Sequence, residues 1–309
     1  MTIGFISHPD CVLHEMGDTH PESPARLKAI EEQVIADGLD KLLHYYEAPL
    51  VTREQLCQAH DTDYVNQIFS LVPTTDYAWL DPDTCMNQYS LNAALRAAGA
   101  VVLGVDLVMA EKEKAVFCNI RPPGHHAEHN RAMGFCIFNN IAVGVAYAQQ
   151  KYHLKRIAIV DFDVHHGNGT DDIFKNSDGV LFCSTFQHPF YPFSELNTNS
   201  NQRVYVPMAA GSSSKEFHEV VSTHWLPRLE AFQPELIFIS AGFDAHAEDA
   251  MANLSLTDED FFWVTQEIKK ISDKYGKGRI VSSLEGGYAL PALGRSAAAH
   301  LRALLGEEH

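Results

Sequence analysis

The chain has 309 residues and a mass of 34.4 kDa, with 46% hydrophobic and 20% charged residues, the balance of a globular protein with a sizeable core rather than a disordered one. Lys and Arg number 23 against 40 Asp and Glu, giving a formal charge of −17. A nucleic-acid binder needs a basic face to displace phosphate counterions, so this balance argues against nucleic acid and is compatible with cationic substrates.

The opening MTIGFISHPDCVLHEMGDTH carries His, Asp and Glu where a signal peptide needs a basic start and an apolar run, so no leader is expected. Helical patterns follow at residues 24–36 and 52–70, the second opening on Thr52 and Gln55 with capping-box spacing. Residues 90–110 are rich in Ala, Leu and Val and read as a buried helix, while no run of about 18 apolar residues calls for a membrane span. Short apolar runs then alternate with helices. Strands are expected at 115–118, 156–160, 180–184, 203–206, 235–240 and 279–283, and helices at 139–152, 214–231, 258–274 and 291–305. Strands that are apolar throughout, rather than alternating, suit a largely parallel sheet buried on both faces. The expectation is one α/β domain over residues 1–309, a mostly parallel sheet with helices on both faces. The six cysteines are scattered with no C-x-x-C, which argues against a zinc ribbon or a disulfide scaffold and for a reducing cytoplasm.

Ligands of such sheets bind beyond the carboxyl ends of the strands. Polar clusters stand just there: Arg121-Pro-Pro-Gly-His-His126, Asp161-Phe-Asp-Val-His-His166, Ala241-Gly-Phe-Asp244 and Glu285-Gly-Gly-Tyr288. Asp161, Asp163 and His165 alternate, so an extended segment points all three one way, although a loop can redirect any of them. Asp163, His165 and Asp244 together would give two carboxylates and an imidazole with an open coordination position, as a catalytic metal site requires. The plain alternative is a set of hydrogen-bonding loop residues. His125 and His126 suit acid and base work near neutral pH, or serve as ligands or ordinary loop histidines. Tyr288, after two glycines, suits donation to an oxyanion or simply covers the sheet end. His8, His14 and His20 read as loop histidines, and Gly167-Asn168-Gly169 lacks the lysine of a phosphate loop.

In combination these residues resemble the histone deacetylase family within the arginase–deacetylase fold. The resemblance rests on HPESPARL (20–27), LDPDT (80–84), RPPGHHAEHNRAMGFCIFNN (121–140), VDFDVHHGNGTDDIF (160–174), SAGFDAH (240–246) and LEGGY (284–288), in that order, and its style is that of class II and bacterial class II-like members. It implies a catalytic zinc on Asp163, His165 and Asp244, with Fe²⁺ compatible with so hard a donor set. It implies tandem histidines, with His126 the general base and His125 an electrostatic partner or proton donor oriented by Asp161. Tyr288 would hydrogen-bond the substrate carbonyl. Gly134, Phe135 and Tyr191 would line a narrow channel for an acylated chain, with Gly287 also on the substrate side and Arg26 near an inner cavity. A structural potassium ion would lie near Asp161, Asp163, His165 and Ser184.

Two departures carry consequences. The partner of the second histidine, an Asp in class I, is Asn168 here, and a neutral partner stabilises imidazolium less. His126 should therefore be less basic, and N168D should move the basic limb of the pH–rate profile. Where the family often has Phe, Tyr191 gives the channel wall a polar tip or points its hydroxyl to solvent. The expected activity is zinc-dependent removal of acetyl or related acyl groups from lysine side chains of proteins or peptides. An acetylpolyamine amidohydrolase is the nearest alternative. A binuclear arginase-type hydrolase and an inactive acyl-lysine binder stand further off.

Overall fold

The computed structural model describes residues 2–194 and 200–307. Its strands are β1 (Ile3–Ser7), β2 (Leu43–Glu47), β3 (Ala78–Asp81), β4 (Thr84–Met86), β5 (Ala115–Cys118), β6 (Ile157–Asp161), β7 (Val180–Gln187), β8 (Arg203–Met208), β9 (Leu236–Ala241) and β10 (Ile280–Leu284). Eight of them form one sheet in the order β2-β1-β5-β10-β9-β6-β7-β8, and every pairing is parallel. β3 and β4 make a separate antiparallel hairpin.

Helices α1 (Ala25–Ala36), α2 (Arg53–Leu56), α3 (Thr62–Ser70), α4 (Ser90–Met109), α5 (Asn140–Tyr152), α6 (Asn168–Phe174), α7 (Ser214–Val220), α8 (Leu226–Phe232), α9 (Asp258–Tyr275) and α10 (Leu290–Leu305) cover the sheet. Adjacent residues of a strand face opposite ways. On β5, Val116 meets Gly104 of α4, while the ring of Phe117 lies 5.7 Å from His300 of α10. Helices α4 and α5 therefore line one face, and α10, packed on α1 and α9, lines the other.

The central strands β5, β6, β9 and β10 are wholly buried, which is why they read as continuous apolar runs. They are also neighbours in the sheet, in the order β5-β10-β9-β6. At about 4.8 Å per strand, the four motifs that follow them open within roughly 15 Å of one another.

Several expectations change. β1 and β2 were not anticipated, because β2 buries only Leu43 fully and carries little pattern. The helix expected over 52–70 breaks between α2 and α3, although its capping box forms. There His60 takes a hydrogen bond from the Asn139 amide at 2.9 Å, and the Asp61 amide donates to the His129 carbonyl at 2.8 Å. Tertiary bonds thus override a helical pattern. Residues 214–231 divide into α7, a π-helical turn (Val221–Trp225) and α8, whose second residue is Pro227. Proline lacks an N–H and crowds the preceding turn, and widening that turn relieves both. α4 is long and apolar enough to cross a membrane by length and composition, contrary to the expectation above, but 72% of its apolar window is buried inside the fold.

Candidate active site

Asp161 ends β6, and the loop after it carries Asp163 and His165 into the interior, all three buried. Their alternation does not survive as one ligand row. Asp161 turns aside: its Oδ2 lies 3.0 Å from His125 Nδ1, and its Oδ1 accepts the Asp163 amide at 3.1 Å. Asp163 and His165 instead converge with Asp244 from the end of β9. His165 Nδ1 lies 3.1 Å from Asp163 Oδ1 and 3.2 Å from Asp244 Oδ2. Asp163 Oδ2 accepts the Gly286 amide at 2.8 Å, and Asp244 Oδ1 accepts the Val164 amide at 2.9 Å. Asp244 Oδ2 is buried with no hydrogen-bond partner.

Among the described residues, Asp163, His165 and Asp244 are the one group of His, Cys, Asp and Glu whose donor atoms cluster closely enough to hold a metal ion, all within 4.8 Å. Donors about 2.0–2.1 Å from a tetrahedral zinc stand roughly 3.3 Å apart, close to the spacing seen here. Burial works against a charge on His165, yet its hydrogen bond to Asp163 and the Asp244 carboxylate beside it outweigh that and push its pKa up to about 10. Burial, then the neighbouring Asp163, raises Asp244 to about 6. The cluster thus favours a positive charge between its two carboxylates, as a cation site does. The surroundings preserve the space: a Cβ at Gly286 would collide with Asp244 Oδ2 and Asp163 Oδ2.

The tandem histidines follow β5, with ring centroids 4.0 Å apart and planes tilted by 47°. Glu285 seats them, its Oε2 accepting the amides of Gly124 at 2.7 Å and His125 at 3.1 Å. The two rings are driven to opposite states. Burial opposes a charge on His125, but Asp163 and then Asp161 raise its pKa well above the usual value. Burial lowers His126, and the positive charge of His125 and then His165 lowers it further. His126 Nδ1 is 2.7 Å from Asn168 Oδ1.

A cavity of about 230 Å³ leads to this cluster. His126 and His165 form its inner end, Phe135, Phe190, Tyr191 and Tyr288 its aromatic walls, and the partly exposed Asp83 its outer end. Gly134 is also on the wall, at φ 57°, and a side chain there would enter the His126 ring. The β3–β4 hairpin fixes this wall: Asp83 accepts the Gly134 amide at 3.2 Å, and Thr84 Oγ1 accepts the Phe135 amide at 2.9 Å. Tyr191 Oη is buried without a partner, so the polar tip lies inside and does not point to solvent. Asp249 Oδ2 accepts the amides of Tyr288 at 2.6 Å and Ala289 at 3.0 Å, anchoring the loop that carries Tyr288.

The chain's likeness to known proteins follows these residues. Residues 20–304 match the histone deacetylase domain. The chain belongs to the histone deacetylase family. It is similar to the chloroplastic histone deacetylase 14 of Arabidopsis thaliana, 35% identical over 94% of this chain and 74% of that one. It is similar to the histone deacetylase-like amidohydrolase of Pseudomonas aeruginosa, 32% identical over 87% of this chain and 73% of that one. Its fold matches the crystal structure of the HDA15 HD domain with a TM-score of 0.92 and 33% identity, covering 99% of this chain and 89% of that one. As a histone deacetylase-family protein it is a hydrolase acting on amide bonds.

Not every residue expected on the substrate side of this histone deacetylase fold lies on the cavity wall. Arg26 and Gly287 stand behind it: Arg26 donates to the Gly287 carbonyl at 2.6 Å and to the Glu285 carbonyl, with its guanidinium 4.9 Å from the Tyr288 ring centroid. Ser184 pairs in register with Asp161, and its hydroxyl is 3.2 Å from His166 Nδ1. His14 lies in a loop, as expected, but not an exposed one. It is fully buried, 2.6 Å from Ser90 Oγ and 3.6 Å from Glu22. His20 packs edge-on against the channel residue Phe135 at 4.6 Å. Glu285, Asp249 and Phe190 had no assigned role in the sequence, since a seating carboxylate or a wall aromatic has no spacing signature. A wider depression of about 440 Å³ lies between α1, α9 and α10, but its arginines are already paired, Arg295 with Asp258 at 2.9 Å and Arg302 with Asp37 at 3.0 Å.

Proposed function

We propose that this protein removes acetyl or related acyl groups from lysine side chains or similar amines, using a divalent metal held by Asp163, His165 and Asp244. The observation that carries this reading is an aromatic-walled cavity ending on that triad, with Asp244 Oδ2 buried beside His165 and free of any hydrogen bond. The oxygen-rich donor set suits zinc and is compatible with Fe²⁺. When bound, such a metal polarises the acyl carbonyl and lowers the pKa of water.

The chain's own residues supply the rest. His126, kept neutral, accepts a proton from the attacking water. His125, kept charged by Asp163 and Asp161, balances the developing negative charge, and a protonated imidazole then delivers a proton to the leaving amine. Tyr288 donates its hydroxyl to the oxyanion, where a well-placed donor is worth about 3–4 kcal/mol. Phe135, Phe190 and Tyr191 exclude water and hold the apolar stem of the substrate. Asp161 and Ser184, with Asp163 and His165, are proposed to border a structural potassium site, a reading that rests on the family resemblance.

Asp83 at the outer end of the cavity favours cationic substrates and keeps an acetylpolyamine in view. A panel of acyl-lysine peptides and acylated polyamines such as acetylputrescine, run alongside metal analysis, tests the proposal. Turnover with one metal per chain is the expected result, and the preferred amine decides between peptide and polyamine. Two metals per chain would favour the binuclear reading. Background turnover of every substrate at saturating metal would leave an acyl-lysine binder.

A further inference from the structure

We propose that Glu128 is a positioning residue that sets the tautomer of His126 through the side-chain amide of Asn168. A carboxylate partner for His126 would present an acceptor whichever oxygen faced the ring. An asparagine does not, because its oxygen and nitrogen exchange places when the amide turns over. One orientation offers Oδ1 to His126 Nδ1 and obliges that nitrogen to carry the hydrogen, which leaves Nε2 with a lone pair. The other offers an N–H and selects the opposite tautomer, unable to accept a proton at Nε2.

The surroundings of Asn168 decide between them. Its Nδ2 faces Glu128 Oε1 at 2.9 Å, Met133 Sδ at 3.3 Å and the His126 carbonyl at 3.5 Å. All three accept and none donates. Glu128 Oε1 already accepts from Arg131 Nη2 at 2.8 Å, so toward Asn168 it can act only as a further acceptor. The Glu128 amide also donates to the Arg131 carbonyl at 2.9 Å, which closes the hairpin and keeps the carboxylate in place. Turned over, Asn168 would set its oxygen against three acceptors. Of these, Glu128 makes the shortest contact and is the one charged acceptor, so it holds the amide most strongly. His125 needs no such device, since it meets the Asp161 carboxylate directly at 3.0 Å. Asn168 thus creates a requirement that Glu128 meets.

The catalytic consequence rests on the reading of His126 as proton acceptor; the tautomer does not. The experiment compares metal-loaded wild type, E128M, E128Q and N168D/E128M. It reads kcat and KM on an acyl-lysine peptide, and the ¹⁵N-resolved histidine tautomers, with the His126 signals located by their loss in H126A. In E128M, kcat should fall roughly tenfold with KM within about twofold, and His126 should show a mixture of tautomers. E128Q, which keeps an acceptor oxygen at the same reach, should stay within about threefold of wild type. N168D/E128M should recover most of the loss, because a carboxylate at 168 needs no orienting. Wild-type kcat with a single Nδ1–H tautomer in E128M would overturn the proposal. So would a kcat loss with unmoved tautomers, or one that N168D fails to relieve. If the wild type turns over no acylated amine, the functional reading fails, and the E128M spectrum still decides the role of Glu128.

Discussion

Two buried ionic clusters sit at the same edge of the sheet and differ in one respect. Around Glu22 the carboxylate is paired on both oxygens, although His14 Nε2, 3.6 Å from it, makes no hydrogen bond. Arg121 donates to both carboxylate oxygens, at 2.7 Å to Oε2, Arg26 donates to Oε1 at 3.0 Å, and Arg121 spends further N–H groups on the carbonyls of Cys11 and His14, both at 2.9 Å. Burial works against the Glu22 charge, but Arg121 and then Arg26 outweigh it and bring its pKa down to about 2. Around Asp244 the charges are incomplete. Asp161, Asp163, Asp244 and Glu285 are all buried, and Asp244 keeps an oxygen with no hydrogen bond. Burial pushes Glu285 up to about 7. Buried charge alone does not mark function, since ion clusters also hold structures together. Among the described residues, the second cluster's carboxylates pair with histidines and with no arginine or lysine, and that uncompensated negative charge is what points to a cation.

The sharpest way to break this comparison is to remove one acid from each cluster. E22A strands two buried arginines and should cost about 3–5 kcal/mol in urea unfolding, enough to abolish soluble protein. D244A should leave the urea midpoint of the metal-free protein unchanged or higher, yet lose metal retention and at least roughly a thousandfold in activity together. Equal destabilisation by both would erase the distinction. Next in size, Y288F should retain metal and lose roughly 10²–10³ in kcat with little change in KM, and full activity would remove Tyr288 from the mechanism.

A third effect belongs to the buried histidines outside the candidate site. Burial lowers His14 to about 3, His60 to about 4 and His300 to about 3. The unfolded chain takes up these protons near pH 6.5 and the folded chain does not. Stability should therefore be full above that value and decline as the pH falls toward about 3–4. Urea midpoints measured between pH 7.5 and 5 should show the decline, and H300Q should flatten it. Smallest is Y191F, which deletes a buried, unpartnered hydroxyl. It should raise stability by about 1 kcal/mol and keep kcat/KM within roughly threefold. A larger loss of activity would mean that the hydroxyl contacts substrate.

Much of this was legible before any coordinates. The strands at 115–118, 156–160, 235–240 and 279–283 announce themselves because strands buried on both faces carry unbroken apolar runs, and they fall within about one residue of β5, β6, β9 and β10. β2 and the β3–β4 hairpin left no comparable trace, being short or partly exposed, whereas β1, with four of its five residues buried, carries an apolar run that is not among the expected strands. In the candidate site, spacing offered Asp161, Asp163 and His165 on equal terms. The family resemblance set Asp161 apart as the orienting carboxylate, and the structure places it 3.0 Å from the His125 ring while Asp163 and His165 meet Asp244.

By itself the amino-acid sequence determined the chemistry available at each strand end and the family to which its motifs belong, because strand burial and motif order are local properties of the chain. Tertiary structure decided which of those groups are satisfied. His14 went to the closed cluster around Glu22, Tyr191 turned its hydroxyl inward, and Asn168 received an orientation from Glu128. Hydrogen-bond satisfaction depends on what lies within about 3 Å, and for a buried group most of those neighbours arrive from distant parts of the chain.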